Sequence, residues 1–457
     1  MEDLLPPVIA TDPEDSRPAN PFIWGSLFLV FFLLIALAVY GYLSSSKKPS
    51  VSYEQIQSQM QERALGRAVL EFGSSPSQTI VKDDAVVKKL LPLKEKDVLA
   101  EKLYLESKRA NGELISAADA KLLVDSKDPG DNAFAKIYLA KKLTAQEAQQ
   151  VSSALPDDPF VNQQAKIVAL QKAGVKRPYL QVVGQQRAAI YASALIFIML
   201  ALGAGSCLWI VYIAARSGGK LLPLGHPSEP MLKPWPERYA VRVLQLLLAF
   251  VSLGFLGVAF LHGLKNHFVE ETIESLALPA MLPLMYFIPI YGKRISAKRQ
   301  GWTSKNLGKN IIWGLSAAVA NAPVLLVLSM IGKFVFSWLP DEAHPIALEL
   351  TTHRSLVTFI LATVSASVCA PIFEETLFRG TLLPALTSKF GSMVWGILIS
   401  SFFFAAMHPT GPPAWFPLAG IGAISALLTY QTKSIVPSVV MHAAHNLAMV
   451  LLTLALT

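Results

Sequence analysis

SLVTFILATVSASVCAPIFEETLFRG, residues 355–380, begins as an uncharged apolar run and ends in two carboxylates and a guanidinium. The run from 355 to 372 approaches the about 20 apolar residues that cross about 30 Å of hydrocarbon. Glu374, Glu375 and Arg379 follow at once. On a helix, Glu375 and Arg379 lie four apart on one face, with the acid on the N-terminal side, the better order for a pair. Glu374 is turned away by about 100°. One carboxylate is thus held by arginine while its neighbour stays free for chemistry. The bland reading is a salt-bridged helix end at the membrane surface. Ionisable groups at membrane depth are costly, however, which makes function the default expectation.

On both sides of this stretch, the same alternation of apolar runs and short charged clusters extends through much of the chain. Of 457 residues, 53% are hydrophobic and only 16% are charged, against about 25% charged in soluble domains. Mean hydropathy is +0.43. Further runs lie at 188–215, 239–261, 276–291, 310–336, 391–407, 414–430 and 435–455. An earlier run, 22–43, comes after an acidic, Pro-rich leader. It is too long and too poorly preceded by positive charge for a cleaved signal, so it reads as an uncleaved anchor. The expected fold class is therefore all-α: a polytopic helical membrane bundle of about eight or nine spans. Residues 44–187 differ. They are Lys-rich, lack any long apolar run and carry helical spacing at 131–142 and 158–172. Thr144 with Glu147 fits a capping box, and Asp157-Asp158-Pro159 reads as a helix entry. The chain divides into a leader and anchor (1–43), an extramembrane helical domain (44–187) and a membrane domain (188–457).

The net charge of +8 gathers in loops between spans, as the positive-inside rule predicts. No basic face with interleaved aromatics suggests nucleic acid. Loops 216–238 and 293–309 are basic and should be cytoplasmic, while 270–274 and 341–342 are acidic and should face outside. This frame puts Glu374 near the cytoplasmic face and residues 44–187 outside, against the opposing signal of Lys47 and Lys48. The two cysteines, Cys207 and Cys369, sit in apolar runs and form no disulfide framework. Cys369, five residues before Glu374, reads as a buried thiol rather than a nucleophile.

Two more constellations stand in the last spans. Phe404-Ala-Ala-Met-His408 closes one run before Pro409, and His442-Ala-Ala-His445-Asn446 lies inside the last. Alone, His408 reads as an interfacial histidine, and His442 with Asn446 as an interhelical hydrogen-bonded pair. His445 points to another face, although a His442/His445 metal pair stays open. Together with the glutamates the reading changes. A carboxylate beside a histidine can take a proton from water, and histidine and asparagine can stabilise the oxyanion that forms.

Glu-Glu-x-x-x-Arg, Phe-x-x-x-His and His-x-x-x-Asn, in that order, resemble the CPBP family of CAAX-prenyl endopeptidases and Abi-type bacterial proteins. The likeness covers about 355 to the C-terminus, with a core from about 310. It implies an intramembrane endopeptidase in which Glu374 and His408 activate water, His442 and Asn446 polarise the scissile carbonyl, and Glu375 and Arg379 support the site. It further implies a peptide or protein substrate, prenylated chains included, in contact with membrane lipid. A bacterial cell membrane is the expected location, and residues 44–187 are open to a protein partner. The family is often labelled metalloprotease. Zinc on His408, His442 and Glu374 is the alternative, but there is no His-Glu-x-x-His and Arg379 disfavours a cation, so no cofactor is expected. The rival functions are a non-catalytic scaffold or bacteriocin-immunity-type protein, and a transporter, for which no internal repeat is seen.

Overall fold

A computed structural model of the chain describes residues 53–73, 84–220, 300–339, 356–408 and 410–456, with a few positions between 21 and 32. The expected spans at 239–261 and 276–291, and most of 22–43, lie outside the described residues. All described elements are helical. The chain forms two compact units: residues 48–197, and residues 1–47 with 198–455.

The first unit contains α1 (Tyr53–Gly73), α2 (Asp84–Leu90), α3 (Val98–Ala110), α4 (Pro129–Leu139), α5 (Ala145–Ser153), α6 (Phe160–Lys172) and α7 (Pro178–Val183). Its core gathers Leu103, Phe134, Ile137, Ala165 and Val168, all fully buried. Polar groups fix how the helices start and stop. Asp97 accepts from the N–H groups of Leu99 and Ala100 and opens α3. Thr144 and Glu147 form the expected capping box at α5. The helices at Pro129–Leu139 and Phe160–Lys172 fall on the stretches whose spacing is helical. Lys172 reaches back to the carbonyls of Ile137, Tyr138 and Ala140 at 2.7–3.1 Å, where the end of α4 leaves its acceptors open. Asp119 collects Ser116, Lys94, Lys108 and Tyr104.

The second unit holds the apolar helices. Among the described residues, five are long and apolar enough to cross a membrane. The first is α8 (Gln185–Ser217), inside which the division between units falls, and the second is α9 (Leu307–Val335). The third is a continuous rod built from α10 (Leu356–Val364), α11 (Ala370–Leu377) and α12 (Leu383–Phe390). After the shorter α13 (Met393–Ala406) come α14 (Trp415–Thr432) and α15 (Val436–Leu456). α14 packs against both α9 and α13.

One expectation needs correcting, and the run 391–407 is shorter than a full span. The run 355–372 does not end before the glutamates; its helix runs through the charged motif to Phe390. It can do so because Glu375 and Arg379 neutralise one another inside the bundle rather than at a surface. The segment 391–407 is helical over only 14 residues, about 21 Å at 1.5 Å per residue, less than the hydrocarbon thickness. Gly391, at φ +59°, makes the left-handed turn that reverses the chain into it. A straight full-length span would leave His408 at the far end of its helix; the short one brings it beside Glu374.

Candidate active site

The rod α10–α12 is interrupted by two π-turns, Ser365–Cys369 and Phe378–Leu382. Such turns insert one residue into the helical ladder and re-aim the side chains beyond it, and they recur at functional sites. They bracket the Glu374–Glu375 pair, and Arg379 stands inside the second. Arg379 Nη1 donates to Glu375 Oε1 at 3.2 Å, and both side chains are essentially without exposure. The guanidinium also lies 4.5 Å over the ring of Phe404, a cation–π contact that partly replaces lost hydration. Glu375 Oε1 accepts further from Ser425 Oγ at 3.4 Å and from His442 Nδ1 at 3.0 Å. Ions buried this deeply hold only when paired and hydrogen-bonded.

Glu374, one residue earlier, has its Oε2 buried and without a hydrogen-bond partner. His442 Nε2 lies 3.8 Å from it and His408 Nε2 4.0 Å. Each imidazole has its other nitrogen engaged. His408 Nδ1 is 2.7 Å from the carbonyl of Phe404. A carbonyl only accepts, so that nitrogen carries the proton. The ionised Glu375 likewise accepts the N–H of His442 Nδ1. In their neutral forms both histidines therefore turn a bare Nε2 lone pair toward Glu374. A water bridging them can donate to at most two of the three acceptors. Phe404 ties the parts together, its ring standing 4.8 Å from that of His408 and 5.7 Å from that of His442.

Three inward lone pairs are also the chemistry of a metal site, but the spacing is not. Two zinc bonds of about 2.0–2.2 Å at a tetrahedral angle would hold their ligand atoms about 3.4 Å apart. The two gaps here are wider, and no group of three His, Cys, Asp or Glu among the described residues is arranged to hold a metal ion.

Asn446 has one side-chain N–H already engaged. Its Nδ2 donates to the carbonyl of Ala366 at 2.7 Å, an acceptor in the first π-turn. One of its two N–H bonds thus holds the rod in shape. His445 makes no hydrogen bond to either glutamate, and Cys369 is a buried free thiol in the same π-turn. Three contributors lie outside the motifs read from the sequence. Ser425 braces Glu375. Trp302 Nε1 donates to Thr376 Oγ1 at 3.2 Å. Gln300 presses on Gly380, where an added methyl would meet its carbonyl oxygen at 2.7 Å. Ser425 and Thr429, four apart in an apolar run, are a usable signal; Gln300 and Trp302 give none.

A profile of the Rce1-like family, type II CAAX prenyl endopeptidases, matches residues 356–448. An Escherichia coli protein described as an uncharacterized 24.3 kDa protein is 36% identical over 90 residues, 20% of this chain and 40% of its own length. The chain therefore spans less than half of that relative. No solved structure matches. Five helices among the described residues are long and apolar enough to cross a membrane, and with the family match they support an integral membrane protein. The matched segment runs from the start of the rod to α15 and contains every residue of the cluster, so residues 356–448 are similar to the Rce1-like family of CAAX proteases.

Proposed function

We propose that the chain is an intramembrane endopeptidase that hydrolyses peptide bonds with water activated by Glu374, without a covalent intermediate or a metal. The observation that carries this is the convergence of His408 Nε2 and His442 Nε2 on Glu374 Oε2, at 4.0 and 3.8 Å. Water held between Glu374 and His408 gives a proton to the carboxylate as its oxygen attacks the scissile carbonyl carbon. The C–N bond then breaks, and the same proton passes from Glu374 to the leaving amine. His442, braced on Glu375, donates from Nε2 as the imidazolium. In that state it stabilises the oxyanion. The second N–H of Asn446 is the other donor assigned to the carbonyl, and Arg379 holds Glu375 in place.

The proposed substrate is a membrane-associated peptide or protein, with prenylated chains included on the strength of the family. The test uses the full chain in lipid nanodiscs and a quenched fluorogenic peptide ending in a Cys-aliphatic-aliphatic-X sequence, farnesylated or not. Wild type should cleave one or both, and Glu374→Gln neither. Equal cleavage by the two proteins would remove Glu374 from the chemistry. Cleavage of the farnesylated peptide alone would assign prenyl recognition.

A further inference from the structure

The unit of apolar helices contains a groove of about 580 Å³ between α8, α9 and α14, a volume in the range of small-ligand sites. None of the residues lining it belongs to the Glu374 cluster. Its wall is apolar, with Leu208, Trp209, Trp313, Ala317 and Leu428. Trp209 gives its one N–H to the carbonyl of Ala320 at 2.7 Å, so its ring offers the groove apolar surface only. Val211 and Ile312 also line the groove and are exposed. It therefore opens on the apolar outer surface of helices able to cross a membrane. One end differs. Ala215, Lys309 and Gln431 line it there, within two residues of the end of α8, the start of α9 and the end of α14. Lys309 is the one charged group in the lining among the described residues. None of the three helices contains an Asp or Glu, so no lining helix supplies it with a counter-ion. Arg216 and Lys433, next to this end, have contacts of their own, which leaves Lys309 as the group to be answered.

We propose that this groove holds an anionic phospholipid of the surrounding bilayer, with an acyl chain along Trp209 and Trp313 and the phosphate on Lys309. The wall decides the body of the ligand. A groove open to hydrocarbon takes a chain, because water there would lack polar partners. The lysine decides the head. An ammonium group at the edge of the hydrocarbon is costly without an opposite charge, and an anionic headgroup supplies one. A zwitterionic headgroup carries the same phosphate together with a cation that Lys309 repels. The loop 293–309 that leads to this end is basic and is expected on the cytoplasmic side, where anionic lipids face juxtamembrane lysines. A prenyl chain would suit the wall, but it is neutral and leaves the lysine unanswered. The proposal rests on the membrane placement of the helices and is independent of the catalytic reading.

The test titrates the full chain in mild detergent with dioleoyl phosphatidylglycerol or dioleoyl phosphatidylcholine, which share their acyl chains, and counts bound lipids by native mass spectrometry. Wild type should retain phosphatidylglycerol about fivefold more tightly, the scale of one lysine against an anionic headgroup. Lys309→Gln should abolish that preference. Ser316→Phe, which puts a ring into the groove, should weaken both lipids, and both variants should keep the helical circular dichroism of wild type. Equal retention of the two lipids by wild type, or an unchanged preference in Lys309→Gln, would overturn the proposal. Binding of neither lipid, or a dimer mass in place of the lipid adduct, would assign the groove to another part of this chain or to a second copy and overturn it as well. Displacement of phosphatidylglycerol by the farnesylated peptide would assign the groove to substrate, with the same consequence.

Discussion

At the scale of single residues, the cluster separates groups that face Glu374 from groups that hold them. His408→Ala and His442→Ala should each lower turnover by about 100-fold or more, the scale of losing an acid–base partner or an oxyanion donor. His445→Ala, with no hydrogen bond to either glutamate, should do far less; equal losses at His442 and His445 in the peptide assay would contradict the assignment. Arg379→Ala is expected to act on the fold as well as the rate. It leaves Glu375 charged, buried and lacking its cation, a change that costs about 3–5 kcal/mol in comparable settings. Immunoblots of membranes should show a lower level of this variant, and normal level with normal turnover would contradict a buried pair. Much of the cluster is legible in the amino-acid sequence. Spacing alone pairs Glu375 with Arg379 and sets Glu374 apart. It does not show that His442 rests on Glu375, or that Asn446 gives one N–H to Ala366. Both contacts cross between helices, and helical periodicity carries no information about which neighbour a face meets.

At the scale of elements, caps are legible and irregularities are not. Thr144 and Glu147 satisfy their own helix end with local atoms, so the pattern is written in four consecutive residues. The π-turns at Ser365–Cys369 and Phe378–Leu382 have no such local code. The first is braced from a distance by Asn446, which donates to the carbonyl of Ala366. The 14-residue length of α13 is foreshadowed only indirectly, by the need to bring His408 to Glu374. In the helical unit, Asp119 supplies an element-scale test. Burial alone would raise its carboxyl, but the Ser116 backbone N–H and the Lys108 ammonium outweigh that and hold it well below the usual carboxylate range. The stabilisation it gives is therefore complete above its unfolded value near pH 4 and is lost as pH falls through the lower folded value. Asp119→Asn should destabilise the turn from Ala117 to Val124 by about 1–3 kcal/mol, read as faster hydrogen exchange there at pH 7. Unchanged exchange would show that the hub is dispensable.

At the scale of the whole molecule, charge asymmetry across α9 sets the expected frame. The basic stretch at its start, with Lys305 and Lys309, is expected on the cytoplasmic side, and the acidic 341–342 beyond it is expected outside. In a background lacking Cys207 and Cys369, Ser337→Cys should label with an impermeant thiol reagent on intact cells and Lys305→Cys should not. The reverse pattern would invert the frame and move the site to the external face. The proposed chemistry, however, turns on a single step, in which Glu374 activates the water that cuts a membrane-associated chain. The decisive comparison is between native membranes carrying wild type and Glu374→Gln at matched levels, by mass spectrometry of newly formed peptide termini. A set of termini should be present with wild type and absent with Glu374→Gln, whose membranes should instead retain the uncut parent chains bound to the variant. The same termini at the same rate from Glu374→Gln would contradict a catalytic role for this carboxylate.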